Sequence, residues 1–118
     1  METRFFKAIN RTLGKVVADK VRIAQDYRSR SMGLLNRASL EAGEGLLIKP
    51  CNSIHMFFMR FPIDVVFLDK NSRVVKVKTG LKPWRLCSCH WKGYMTLELK
   101  NSTVRDDSVR IGDTIDFE

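Results

Sequence analysis

Residues able to hold an anion or move a proton fall close together in this chain. His55, Arg60 and Asp64 lie within ten positions, and Trp84-Arg85 follows in a later stretch. A guanidinium at Arg60 or Arg85 offers paired N–H donors to a carboxylate or phosphate. His55 and Asp64 supply groups for proton transfer or hydrogen bonding, and Trp84 a stacking wall. Together they describe the mouth of a site for a small anionic ligand. The competing reading is structural: Asp64 paired with one of the arginines, and His55 satisfied at the end of a strand. A buried charge is costly unless it is paired and hydrogen-bonded, so Asp64 needs partners on either reading, from Arg60, Arg85 or backbone amides.

A second set contains soft ligands. Cys51 and His55 form Cys-x3-His, and Cys87, Cys89 and His90 form Cys-x-Cys-His. If the two segments met they would supply enough donors for tetrahedral zinc, but the spacing follows no zinc-ribbon or finger pattern. The expectation is a chain that folds without metal or other cofactor. Cys51 with His55 as a nucleophilic pair lacks an orienting third group and an oxyanion hole. Three cysteines do not make a disulfide frame, which favours a reducing compartment.

These residues are positioned by short extended segments. Residues 5–10 and 14–24, with Gly14 between them, are rich in Phe, Ile and Val at strand spacing. Tyr27, Leu34 and Leu35 share a helical face behind Asp26 as a cap, which predicts a short helix over Tyr27–Leu35. Gly43 and Gly45 introduce a buried strand, Leu46–Ile48, stopped by Pro50. The most hydrophobic run, Pro50–Asp69, is broken by Pro62. Beyond that break Ile63–Leu68 alternates between two largely apolar faces, with Asp64 near its mouth. Asp69–Ser72 has the composition of a hairpin turn leading into Val74–Val77. Lys82–Arg85 reads as loop or edge, Met95–Leu99 as a half-buried strand, Asn101–Asp107 as a helical turn, and Thr114–Phe117 as a last strand. Many short strands with one or two short helices predict a mainly β fold, a compact antiparallel β-sandwich or barrel.

At 118 residues the chain is expected to form a single domain, 1–118, around one core. Its net charge is +8, and the excess is N-terminal: residues 1–40 hold nine Lys or Arg against three acids. Such a patch suits nucleic acid or an anionic surface, but no helix-turn-helix, zinc-finger or RNA-binding signature accompanies it, so nucleic acid is not the expected partner. No run approaches the length of a membrane span. Charges every few residues at the start leave no apolar core for a secretory signal, and the expected location is cytoplasmic.

Several motifs occur together and in order: Arg30-x-x-Gly33-Leu34-Leu35, Gly45-Leu46-Leu47-Ile48, the run Ser53–Asp69, Pro83-Trp84-Arg85, Leu97-Glu98-Leu99 and Ile111-Gly112-Asp113. In these the chain resembles the family called domain of unknown function 192, over about residues 15–118. The resemblance implies a small β-rich domain, jelly-roll-like in topology, with mostly bacterial and archaeal members and no established activity. Met56 departs from a threonine common in related sequences. Ser72 fills a hairpin position where glycine is usual, and Lys100-Asn101 replaces a stretch that commonly contains glycine. Residues 87–92 match no fixed family pattern, so a site on Cys87 or Cys89 draws no support from it. The reading favoured by the sequence is a non-enzymatic module that binds a small anionic ligand or a protein partner at His55–Asp64 and Trp84-Arg85. The alternatives are a small enzyme using His55, Arg60 and Asp64, and a basic nucleic-acid-binding module.

Overall fold

The computed structural model describes residues 4–25, 34, 37–89, 92–105 and 107–118. Nine strands follow in order: β1 (Phe6–Asn10), β2 (Lys15–Ala24), β3 (Glu44–Ile48), β4 (Ser53–His55), β5 (Ile63–Leu68), β6 (Val74–Leu81), β7 (Leu86–Ser88), β8 (Met95–Lys100) and β9 (Ile115–Phe117). Seven form one sheet in the order β6-β5-β8-β3-β2-β1-β9, while β4 and β7 pair as a separate ribbon. The protein is thus mainly β. Among the described residues the strands form one curled sheet and a two-stranded ribbon, and there is no α-helix. The helix expected over Tyr27–Leu35 lies outside the described residues except for Leu34, and 101–105 is a run of turns and bends instead of a helical turn.

The sheet curls into a half-barrel whose two edges meet at one end. A bridge joins Arg73, just before β6, to Thr114, just before β9. Around it the Val74 N–H donates to the Asp113 carbonyl at 2.8 Å and the Ile115 N–H to the Ser72 carbonyl at 2.9 Å. Side chains from both edges, Val74 and Ile115, join Ala8, Val21, Leu47, Val66, Leu97 and Leu99 in one cluster inside the curl. The other face of β3 and β5 buries Leu46, Ile48, Ile63, Val65 and Phe67 against Leu34, Leu40, Met56, Met59 and Cys87. This second layer is held partly by the β4/β7 ribbon.

One pairing departs from the antiparallel expectation: β2 and β3 run parallel, Lys20 opposite Glu44 through Ala24 opposite Ile48. Residues 25–43 separate them, which is long enough for the crossover that parallel strands require. Gly43 and Gly45 sit where this pair closes. Gly43 has φ +85°, and a Cβ there would collide with the Asp19 carboxylate; at Gly45 it would lie 2.9 Å from Leu99 Cδ2.

The expected hairpin after β5 is present. Asp69 Oδ1 accepts from the Asn71 N–H at 2.8 Å and the Arg73 N–H at 3.0 Å, an aspartate closing its own turn. Ser72 takes φ +63°. No described helix is long and apolar enough to cross a membrane.

Asp64 is fully buried at the start of β5. Its Oδ1 accepts from the Gly80 N–H at 2.9 Å and its Oδ2 from the Val104 N–H at 2.8 Å. The carboxylate therefore ties the end of β6 and the loop after β8 to β5 through backbone amides, and among the described residues no guanidinium pairs with it. Charge-assisted bonds of this kind contribute roughly 1.5–3 kcal/mol each. Asp64→Asn keeps one acceptor but turns an N–H donor toward a second donor, and should destabilise the protein by about 2 kcal/mol or more. A urea denaturation midpoint equal to that of the wild type would show that the two bonds do not matter.

Candidate functional site

The β4/β7 ribbon and the loops beyond it display the sequence-predicted residues. Ser53, Ile54 and His55 face Ser88, Cys87 and Leu86 across the ribbon. The next residue, Met56, is the anchor. Its side chain is buried in the second cluster, its N–H donates to the Arg85 carbonyl at 2.8 Å, and its carbonyl accepts from the Trp84 N–H at 2.7 Å and from the Met59 N–H at 3.2 Å. With Met56 and Met59 both directed inward, the turn between them carries Phe57 and Phe58 outward.

The outcome is an exposed aromatic ledge. The His55 and Phe57 rings stack with centroids 5.2 Å apart, Phe57 and Trp84 lie 5.9 Å apart, and Phe58 and Trp84 lie 4.9 Å apart. Phe58 is 71% exposed, Trp84 57% and neighbouring Leu86 70%. Phe58 and Trp84 also hold left-handed backbone, φ +66° and +70°, which costs a bulky L-residue roughly 1–2 kcal/mol. Leaving large apolar side chains in water on an unfavourable backbone is the opposite of what stability alone selects.

Arg60 and Arg85 are exposed, and neither enters an ion pair among the described residues. Other arginines do: Arg11 with Asp116 and Glu118, Arg37 with Glu44, and Arg110 with Asp107. Arg85 lines a depression of about 330 Å³ with Lys78, Gly80, Leu81, Lys82 and Leu86. A second depression, of about 450 Å³, shares Leu86 and is otherwise lined by Ser53, Ile54, His55, Cys87 and Ser88. His55, Trp84 and Arg85 are thus brought onto one surface, whereas Asp64 turns the other way, into the curl, and is occupied by Gly80 and Val104.

Among the described residues the soft ligands form no metal-holding group. Cys51 Sγ donates to the Ser53 carbonyl at 3.2 Å, Cys87 and Cys89 are buried, and His55 is stacked on Phe57. Burial pushes the Cys89 thiol above its ordinary pKa, against the opposing pull of Lys76 and Lys92. His90 lies outside the described residues, which contain no group of three or more His, Cys, Asp or Glu arranged to hold a metal ion. Burial also raises the Glu44 carboxyl, but Arg37, bound to both its oxygens at 2.9 and 3.0 Å, together with the Glu41 N–H, outweighs it and leaves the pKa lowered.

Glu98 is the ionisable residue that sequence reasoning passed over. It was expected on the solvent side of a half-buried strand, but β8 is buried on both faces and Glu98 is only 6% exposed, between Leu46 of β3 and Val65 of β5. No side-chain partner for it is found among the described residues, and burial pushes its pKa up to about 7. The signal lay in its neighbours: Leu46–Ile48 and Ile63–Leu68 have no polar face, so a strand between them has none to leave in water.

The sequence pattern of the domain of unknown function 192 family, described as "Uncharacterized ACR", matches residues 8–117. The chain belongs to that family. A UPF0127 protein of Thermococcus sibiricus is 35% identical over 115 residues, covering 93% of this chain and 73% of the relative. One of Pyrococcus furiosus is 32% identical over 114 residues, covering 92% and 96%. A solved protein of unknown function from Novosphingobium aromaticivorans superposes with TM-score 0.79 at 18% identity, over 94% of this chain and 82% of the other. A solved protein from Sinorhizobium meliloti described as a "putative transcription regulator" gives TM-score 0.80 at 21% identity, over 95% of this chain and 91% of the other. At these identities the structures speak to the fold alone.

Two outcomes follow from this geometry. Relief of the left-handed backbone should offset the added chain entropy of glycine, so Phe58→Gly and Trp84→Gly should each change stability by less than about 1 kcal/mol, against the roughly 3–5 kcal/mol of a buried aromatic truncation. Thermal melts check this, and a large loss in either variant would make the ledge part of the core. Glu98 has a folded-state pKa above its unfolded value of 4.5, so the native state binds the extra proton. Its contribution is fully present below about pH 4.5 and fades as pH rises to about 7, by up to about 3 kcal/mol. Glu98→Gln should flatten that part of the stability profile measured from pH 4.5 to 8, and parallel profiles would refute the assignment.

Proposed function

We propose that this protein is a binding module, and that the ledge of His55, Phe57, Phe58 and Trp84, with Arg85 next to Trp84 and Arg60 two residues along the chain from Phe58, is its contact surface for an anionic partner with an apolar part. The observation that carries this reading is the exposure of Phe58 and Trp84 on left-handed backbone, because strain of this kind gathers where a surface is kept for recognition. The cations at the rim supply charge recognition and the rings supply apolar area, the usual division of labour in an interface. A single domain spanning 1–118 and a cytoplasmic location are part of the same proposal.

An enzyme built on His55, Arg60 and Asp64 is less well supported, since the Asp64 carboxylate is occupied by two backbone amides. A nucleic-acid surface at the N-terminal end is also less well supported. Arg11 there is paired with acids, and Arg4 lies over the Phe6 ring at 4.7 Å.

The dye 1-anilinonaphthalene-8-sulfonate joins aromatic rings to a sulfonate and is a direct probe. The folded protein should bind it at one site, with enhanced fluorescence, under conditions where the near-ultraviolet circular dichroism is that of the native state. Trp84→Gly and Arg85→Glu should each weaken the binding by about tenfold. Absence of binding, or binding indifferent to both substitutions, would remove the ledge as the contact surface.

A further inference from the structure

Resting on that reading of the ledge, we propose a more specific partner: an extended acidic segment of another protein, with an apolar anchor seated at Leu86 and Trp84 and its carboxylates laid along Lys78, Lys82 and Arg85. Charge complementarity carries the inference. Among the described residues, the depression that Leu81 and Leu86 line is bordered by these three cations and by no acid. None of the three enters an ion pair among the described residues, although Arg11, Arg37 and Arg110 all find one. Asp64, which accepts the N–H of Gly80 beside this groove, is fully buried. The cations of this groove are therefore left for something outside the chain.

Shape favours a peptide over other anions. The groove and the shallow floor formed by the β4/β7 ribbon share Leu86 in their linings, so an occupant that fills both must pass over this exposed aliphatic side chain. A polypeptide with side chains alternating to either side can do this. A single-stranded nucleic acid needs open ring faces on which bases stack, whereas here the rings of His55, Phe57, Phe58 and Trp84 are turned against one another. A second copy of this chain would bring the same +8 charge to the surface, which disfavours self-association through it.

The test is a selection of random dodecapeptides displayed on phage against the wild-type protein, with counter-selection against the Phe58→Gly, Trp84→Gly double variant. Clones that survive should be enriched in Asp and Glu around an apolar residue. Synthetic versions labelled with fluorescein should lose about tenfold or more in affinity on Lys82→Glu with Arg85→Glu, and should weaken as salt rises. Survivors without acidic bias, or insensitive to those charge reversals, would overturn the acidic partner and leave the aromatic ledge standing. Clones recovered equally well on the counter-selecting variant would sink both. Oligo(dT) binding more tightly than any selected peptide, and losing affinity with the same reversals, would overturn the proposal in favour of a nucleic acid.

Discussion

A strand in the middle of a sheet has two faces to keep from water, and in β3, β8 and β5 neither face is polar enough to be left in solvent. Curling the sheet covers one set of faces, because side chains from both edges then meet inside. The other set needs a separate lid, supplied by Leu34, Leu40 and the ribbon segments around Met56, Met59, Cys87 and Cys89. The curl and the lid thus answer the same demand, which is removal of apolar area from water at roughly 25 cal/mol per Å². The polar residues that remain inside act as fasteners. Asn10 donates to Asp113 at 2.8 Å and to the Ser108 carbonyl at 3.0 Å, and Asp113 in turn accepts from the Arg110 N–H at 2.9 Å.

The lid also accounts for the ledge. Met56 and Met59 enter the second cluster three residues apart, and the tight turn this imposes has no room to bury the pair between them. Phe57 and Phe58 are therefore outside because of where their neighbours are. The reciprocal bonds between Met56 and the Trp84-Arg85 segment then place the Trp84 indole against those rings, with Arg85 next to it in the chain. The recognition surface and the core cover are two sides of one short segment, so a substitution at Met56 would disturb both.

Much of this architecture was legible from residues alone. Alternation and Pro62 located β5 at Ile63–Leu68, Asp69 and Ser72 marked the hairpin, and Gly43 and Gly45 marked the entry to the buried strand β3. The need of Asp64 for partners followed from burial cost, and backbone amides were among the candidates. The parallel pairing of β2 with β3 was not legible, because it depends on how a long connection crosses. The inward direction of Asp64 and the burial of Glu98 were hidden for a related reason. Strand periodicity says which residues share a face, but only the neighbouring strands say whether that face is wet. The exposure of Phe58 ran against the composition of its surroundings, since a run this hydrophobic reads as core throughout.

The edge of the sheet has a consequence for how the chain reaches its native state. Ala8 of β1 lies opposite Phe117 of β9, so the first strand of the sequence holds the last in register. Contacts of such long separation carry the largest loop-closure entropy and are slow to form. During synthesis β1 can pair with β2 almost at once, but its outer edge stays unmatched while about a hundred further residues are added. That edge is an open template for a wrong strand until β9 arrives. Lys7 at this edge, whose N–H and carbonyl both end up bonded to Glu118, places a charge on a strand that would otherwise be an inviting surface for aggregation.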